Sequence, residues 1–364
     1  MKSIYIYIHY PFCSSICPYC NFYSLVNTTE RNSAKDQKLF DLYKSQLDYY
    51  YNFSNDAIVQ TIFFGGGTPS LASIDLLSNI INYIYTKWKV TVNPEISIEV
   101  NPFSSSPENF LNYKSIGINR ISIGVQSLND NELKFLGRLH SAKIALQTIE
   151  NAYKYFSNIS ADFIYGIPHH TPDIWIKNLE EIVDLKLPHY SLYQLTIEKH
   201  TPFFDFVKNG KLKPTSDLIQ AKLFTETRKI MRKNKIAPYE ISNFAKPGFI
   251  CKHNLAYWTN QNYIGIGPSA ESRIDNLAFK NSILKWDKIV VEKLTKNQKS
   301  EEIILTNLRS KYGLYITETI SNVLNVNNIK KLSKYIKYNE KQNHLKMTEK
   351  GFLYFNSIID AIIK

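Results

Sequence analysis

Cysteine is scarce in this chain, with four among 364 residues. Such usage belongs to a reducing compartment and excludes a disulfide-stapled secreted scaffold. Methionine (3) and tryptophan (4) are also few. No run of about eighteen apolar residues occurs, so no membrane-spanning helix is expected. The start MKSIYIYIHYPF lacks the charged, apolar and small-residue order of a secretory signal, and the protein reads as cytoplasmic. Acidic residues are outnumbered, 32 against 44 basic, leaving a net charge of +12. That charge attracts polyanions, anionic lipid surfaces and acidic small molecules alike, so it is compatible with a peripheral membrane contact. The lysines are scattered among Asn, Ile and Tyr, as in NVLNVNNIKKLSKYIKYNEKQN, which suits a solvated surface. No RNA-binding motif accompanies them, and no nucleic-acid partner is expected.

The few cysteines are concentrated. Cys13, Cys17 and Cys20 stand in YIHYPFCSSICPYCNF as CxxxCxxC. Three thiolates on a short loop, with no fourth cysteine nearby, suit an iron–sulfur cluster with one iron left open for another ligand. Structural zinc wants four closed ligands in pairs, and no second pair exists. Cys251 is the remaining thiol.

Apolar, β-branched or aromatic runs recur along the first half: Ile4 to His9, Thr61 to Phe64, Glu95 to Val100, Arg120 to Val125, Ala161 to Gly166 and Tyr190 to Leu195. They read as buried parallel strands. Helical spacing follows each, over about 34–51, 74–88, 107–115, 142–156, 173–185 and 216–233. Six strand-then-helix units predict an α/β fold, a partial (β/α)6 TIM-like barrel over residues 1–237. Turn residues and aromatics from Pro238 predict a connecting subdomain of loops and short strands over 238–294. The rest, 295–364, reads as a small α-rich domain with helices at 301–311, 329–338 and 351–363.

The unusual residues fall at the C-terminal ends of those strands, where parallel α/β folds bind ligands. The three cysteines follow the first strand. GGGTPS, from Gly65 to Ser70, follows the second; Gly66 and Gly67 would let backbone approach a ligand closely beside Thr68, though an ordinary βα turn uses glycine too. Glu99 ends the third strand before Asn101 and Pro102. Gln126 and Ser127 end the fourth, and Arg138 follows in GRLH with His140, suited to clamping a carboxylate. Asp162 sits among apolar residues of the fifth strand and needs a partner or a ligand.

Taken in order, the cysteine loop, GGGTP, Glu99 with Asn101-Pro102, GVQS, GRLH and DFIYGIP resemble the radical S-adenosylmethionine (SAM) family of oxygen-independent coproporphyrinogen III oxidase-like proteins. The resemblance covers nearly the whole chain. It implies a [4Fe-4S] cluster on Cys13, Cys17 and Cys20, with SAM on the open iron. It also implies that Tyr7, Gly66, Gly67, Thr68, Glu99, Gln126, Arg138, Asp162 and Leu195 line the SAM pocket. In members that react, an electron from the cluster cleaves the sulfonium of SAM.

Within that family the loop separates two branches. The oxidases resemble CxxxCxxCxC, whereas Phe22 stands here in place of the fourth cysteine, and only twelve residues precede Cys13 where the oxidases carry a longer lead. HNLAYW, His253 to Trp258, resembles the HNxxYW motif of the haem-chaperone branch. The expected function is therefore to bind haem and pass it to an acceptor haemoprotein or a respiratory membrane protein, with His253 at the haem. The alternative is a coproporphyrinogen III dehydrogenase that uses the radical to decarboxylate two propionates. Imidazole is a standard axial ligand of haem iron, but a histidine hydrogen-bonded inside a packed aromatic loop reads the same way in sequence. Cys251 and Glu271, the latter where the chaperone branch usually has histidine, are given no role.

Overall fold

The computed structural model describes residues 1–26 and 33–364. Six parallel strands follow one another, β1 (Ser3–Tyr10), β2 (Ile58–Gly66), β3 (Lys89–Val100), β4 (Arg120–Gln126), β5 (Ile159–Tyr165) and β6 (His189–Gln194). Helices Ser33–Tyr51, Ile74–Lys87, Pro107–Ser115, Ala142–Tyr153, Pro172–Asp184 and Asp217–Lys233 connect or follow them. The expected TIM-like α/β architecture is present. Local chemistry sets the helix starts: Ser73, Ser106, Ser141 and Thr171 each accept a hydrogen bond from an amide of the first turn, and proline follows at Pro107 and Pro172, where its missing N–H costs nothing.

A seventh parallel strand, β7 (Tyr263–Ile266), pairs with β1 on the side away from β2. The sheet runs β7-β1-β2-β3-β4-β5-β6, and antiparallel strands extend both edges. Asn243–Ala245 lies on β6, while Glu271–Ile274, Leu277–Asn281 and Ile289–Lys293 continue from β7. The aromatic, turn-rich stretch after Pro238 therefore supplies sheet edges. Its single short parallel strand, YIGI, is too brief to stand out by periodicity.

The strands alternate in an informative way. One set of side chains, such as Ile4, Ile6 and Ile8, Ile96 and Ile98, or Ile121 and Ile123, packs into the main core with the helices. The other set faces the concave side and is polar or aromatic: Tyr5 and Tyr7, Thr61 and Phe63, Glu95 and Glu99, Arg120 and Ser122, Asp162, and His189 with Ser191.

That concave side is closed at the strand starts by the short helix Lys252–Trp258, which carries HNLAYW. Glu95 accepts from the amides of Lys252 and His253, both at 3.0 Å, and from the Cys251 thiol at 3.5 Å. His253 is 1% exposed. Its Nδ1 bonds Thr61 Oγ1 at 2.6 Å, its Nε2 bonds the Tyr257 hydroxyl at 2.8 Å, and its ring stacks on Phe63. Burial, with the charge of Arg120 second, pushes its pKa down to about 3, so it stays neutral. Arg120 is itself only 2% exposed, and its charge is felt by Cys251.

From Lys296 onward a second apolar cluster forms, which includes Phe224 of helix Asp217–Lys233. Arg228 of that helix holds Glu349 at 2.8 Å. The expected helix over 329–338 is divided: Val326–Lys331 is helical, whereas Ile336–Asn339 is a strand in a three-stranded antiparallel sheet with Leu314–Tyr315 and His344–Met347. In IKYN the buried Ile336 alternates with the exposed Lys337, a period of two that outweighs helical propensity.

Glu95→Ala removes the acceptor of one buried and one partly buried amide and a neighbour of a buried cation. The chain should lose about 2–4 kcal/mol of stability, measured as a lower urea midpoint at unchanged slope. The amides of Lys252 and His253 should exchange faster in the same variant.

Candidate functional site

At the opposite, C-terminal ends of the strands lies a cavity of about 840 Å3. Cys13, Cys17 and Cys20 border it together with Gly66, Gly67, Thr68, Glu99, Gln126, Arg138, Asp162 and Leu195. Every site residue expected from the sequence is there except Tyr7 and His253. Tyr7 lies one layer lower, its hydroxyl 3.2 Å from His9 Nδ1 and its ring stacked on Phe63. His253 sits in the plug at the strand starts with both ring nitrogens bonded. In sequence a core histidine bonded at both nitrogens and a free one look alike.

The cluster loop is held by packing that the motifs encode. Gly67 N donates to Tyr10 O at 2.7 Å, and Thr68 N to Phe12 O at 2.8 Å. A Cβ on Gly66 would lie 2.7 Å from His9 Nδ1, and one on Gly67 2.6 Å from Phe12 O. The glycines of GGGTP thus serve the approach of the cluster loop as well as the cavity wall. Thr68 Oγ1 donates to Cys13 Sγ at 3.4 Å. Gly137 of GRLH, at φ +69°, has room for no side chain because Pro18 lies 2.6 Å from where its Cβ would stand. His9 Nε2 bonds Tyr23 O at 2.8 Å, and His140 Nε2 bonds Val125 O at 3.1 Å; both histidines are supports. Helix Pro202–Lys208 also braces the loop through Phe203 N, which donates to Pro18 O at 3.0 Å. No motif announced that contact.

Arg138 bridges wall and loop, with Nη2 donating to Gly124 O at 3.1 Å and Nη1 to Cys17 Sγ at 3.5 Å. Its Nε is buried without a partner among the described residues. Gln126 adopts φ +69° after a register shift in the pairing of β4 with β5. Such an irregularity re-aims a strand-end side chain. Asp162 accepts from Ser122 Oγ at 3.2 Å. Burial, and next the charge of Asp162, pushes Glu99 up to about 8. Burial also raises Asp162. The floor thus has two carboxyls that resist ionising together.

Sequence reasoning missed the outer wall. Tyr193, Phe224, Ile241, Arg309 and the segment 352–357 line the same cavity, although 352–357 is far in sequence from any motif. Cys251 and Glu271 are elsewhere: Cys251 caps the plug helix, and Glu271 pairs on the surface with Arg273 and Lys280.

Residues 7–182 match the radical SAM superfamily. The chain is 33% identical to the heme chaperone HemW of Lactococcus lactis over 375 residues, covering 98% of this chain and 96% of that one. It is 32% identical to the heme chaperone HemW of Bacillus subtilis, over 86% of this chain and 85% of the relative. The chain belongs to the HemW-like radical SAM proteins. Mitochondrial radical S-adenosyl methionine domain-containing protein 1 of Bos taurus is 35% identical over 74% of this chain and 60% of its own length. Coproporphyrinogen III oxidase (HemN) from Escherichia coli shares the fold, with a TM-score of 0.81 at 19% identity over 99% of this chain and 90% of that one.

Membership of the radical SAM superfamily implies a [4Fe-4S] cluster and SAM, and the residues present fit both. All four cysteines are free thiols. Among the described residues no three His, Cys, Asp or Glu side chains gather around one metal ion; three free thiols of one loop bordering the cavity suit a cluster, which takes each thiolate at a separate iron. The orphaned Arg138 Nε is a donor in want of an acceptor.

The raised Glu99 pKa has a sign that can be checked. Between its ordinary value of 4.5 and about 8, the folded apo chain holds a proton that the unfolded chain has released. The contribution is therefore fully present below that window and is lost as pH rises through it. In Glu99→Gln this slope should vanish, and the variant's apo thermal midpoint should overtake the wild type's as pH climbs toward 8.

Proposed function

We propose that the chain is a haem chaperone: it binds a [4Fe-4S] cluster, SAM and haem, and passes haem to an acceptor haemoprotein or a respiratory membrane protein. The observation that carries this reading is that similarity to relatives named heme chaperone runs through 98% of the chain, including the outer wall, where the cavity extends beyond the SAM residues. Phe22 adds support. It occupies the place of the oxidases' fourth cysteine, lines the cavity and is 69% exposed.

In this reading Cys13, Cys17 and Cys20 hold the cluster, and Arg138 offers its free Nε to the carboxylate of SAM. Gly66, Gly67 and Thr68 present backbone at the ligand's edge, and Gln126, Glu99 and Asp162 meet its hydroxyls. A Glu99 that is protonated near neutral pH can donate as well as accept. Leu195 closes the apolar side, while Tyr7 positions His9 from beneath. When bound, the cluster supplies an electron source and a chelation site for SAM.

Anaerobically reconstituted protein should take up one haem per chain with a Soret shift and yield it to an apo-haemoprotein. Conversion of coproporphyrinogen III to protoporphyrinogen IX with SAM and a reductant would sink the chaperone reading in favour of the dehydrogenase. Among the described residues no helix is long and apolar enough to cross a membrane, so delivery to a membrane acceptor would proceed from a peripheral position.

A further inference from the structure

Behind the cavity wall lies a group of polar side chains that no motif accounts for. Glu132 stands in the short helix Asp130–Phe135, between Gln126 and Arg138 in the chain. One of its oxygens accepts from His170 Nε2 at 2.9 Å and from Asn178 Nδ2 at 3.2 Å. The other accepts from Ser127 Oγ, which itself accepts from Asn129 N at 3.0 Å. His170 follows β5, and its Nδ1 accepts from Gly166 N at 3.2 Å. A ring nitrogen that accepts carries no proton, so the proton is on Nε2 and is donated to Glu132. Ser127 and His170 are buried, and neither they nor Glu132 line the cavity.

The network joins two strand ends of the wall. At one, Ser127 is the neighbour of Gln126, whose backbone is left-handed at φ +69°. L side chains disfavour that region, and a residue stays in it only where its surroundings fix it. The ladder between β4 and β5 shifts register just before Gln126, so the ladder alone does not set this corner. A Cβ on Gly124 would lie 3.0 Å from Gln126 Nε2 and 3.5 Å from Arg138 Nη2, so the amide and the guanidinium converge over Gly124 at the cavity. At the other strand end the turn at Gly166 is held from several sides. Its carbonyl accepts from Thr215 Oγ1 at 3.0 Å and from Gln220 Nε2 at 3.3 Å. The His170 ring stacks at 5.7 Å on Trp175, whose Nε1 donates to Thr227 Oγ1 at 2.7 Å. Glu132 ties the Gln126 corner to that anchor.

We propose that Glu132 and His170 are positioning residues of the SAM site: through Ser127 they hold the left-handed corner at Gln126, and with it the amide that meets SAM beside Arg138. This rests on the reading of the cavity as a SAM site. Neither residue touches the ligand. Their effect on SAM passes through Gln126, as groups behind a ligand contact act by fixing its orientation.

The test titrates SAM into anaerobically reconstituted full-length protein whose cluster content has been verified. His170→Phe keeps a ring on Trp175 and loses both nitrogen bonds; SAM affinity should fall about tenfold at unchanged cluster content. His170→Gln can accept from Gly166 N with its carbonyl and donate to Glu132 with its amide, so it should bind SAM within about twofold of wild type. In a Gln126→Ala background His170→Phe should cost no more than about twofold further, because the group through which the pair acts is gone. Ser127→Ala removes the link alone, should follow the same pattern, and carries the test if His170→Phe does not fold. Wild-type affinity in His170→Phe or Ser127→Ala, no rescue by His170→Gln, or a loss of about tenfold repeated in the Gln126→Ala background overturns the assignment and leaves the SAM site intact. A wild type that holds its cluster and binds no SAM overturns the site reading and this assignment with it.

Discussion

The carboxylate of Glu95 is where the barrel and its plug become one object. A curved parallel sheet with helices on its outer face must do something with the inner face, and here that face is polar. Polar groups taken from water are costly unless satisfied. Glu95 satisfies two amides of the plug helix. Its charge also stands near the buried Arg120. The cavity bordered by the cysteine loop lies at the opposite ends of the strands.

The same economy governs the cluster loop. Three thiolates must be presented on a loop with little regular structure of its own, so the loop borrows rigidity from neighbours. Gly66 and Gly67 let its backbone lie directly on β2, Gly137 accepts Pro18 from above, and His9 and Phe203 pin its two sides. A methyl group at Gly67 would displace Phe12 and with it Cys13. Residues that look like ligand contacts in a motif are here partly the mounting of a neighbouring loop.

This explains what could be read in the sequence and what could not. Strand-end placement and the six units were legible because parallel strands announce themselves by apolar runs and the βα turns by glycine and proline. Glu99, Gln126 and Asp162 were legible because polar residues on apolar strands need a reason, and Arg138 because it stands in GRLH. The surroundings of His253 were not legible, because motif resemblance carries no information about which nitrogens are already bonded; Thr61 and Tyr257, which bond it, lie in different segments. The outer wall was invisible for another reason. Phe352 and Phe355 read as ordinary core positions of amphipathic helices, and only the docking of the C-terminal region on helix Asp217–Lys233 turns their edge toward the cavity.

The floor of the cavity obeys the same demand for satisfied polarity. Burial, and next the charge of Asp162, raises Glu99 to about 8, and burial raises Asp162 as well, so the two carboxyls resist ionising together. A carboxyl that keeps its proton can donate a hydrogen bond where a carboxylate only accepts. The floor therefore presents polar groups toward the cavity without two buried like charges, which repel most strongly where water is excluded.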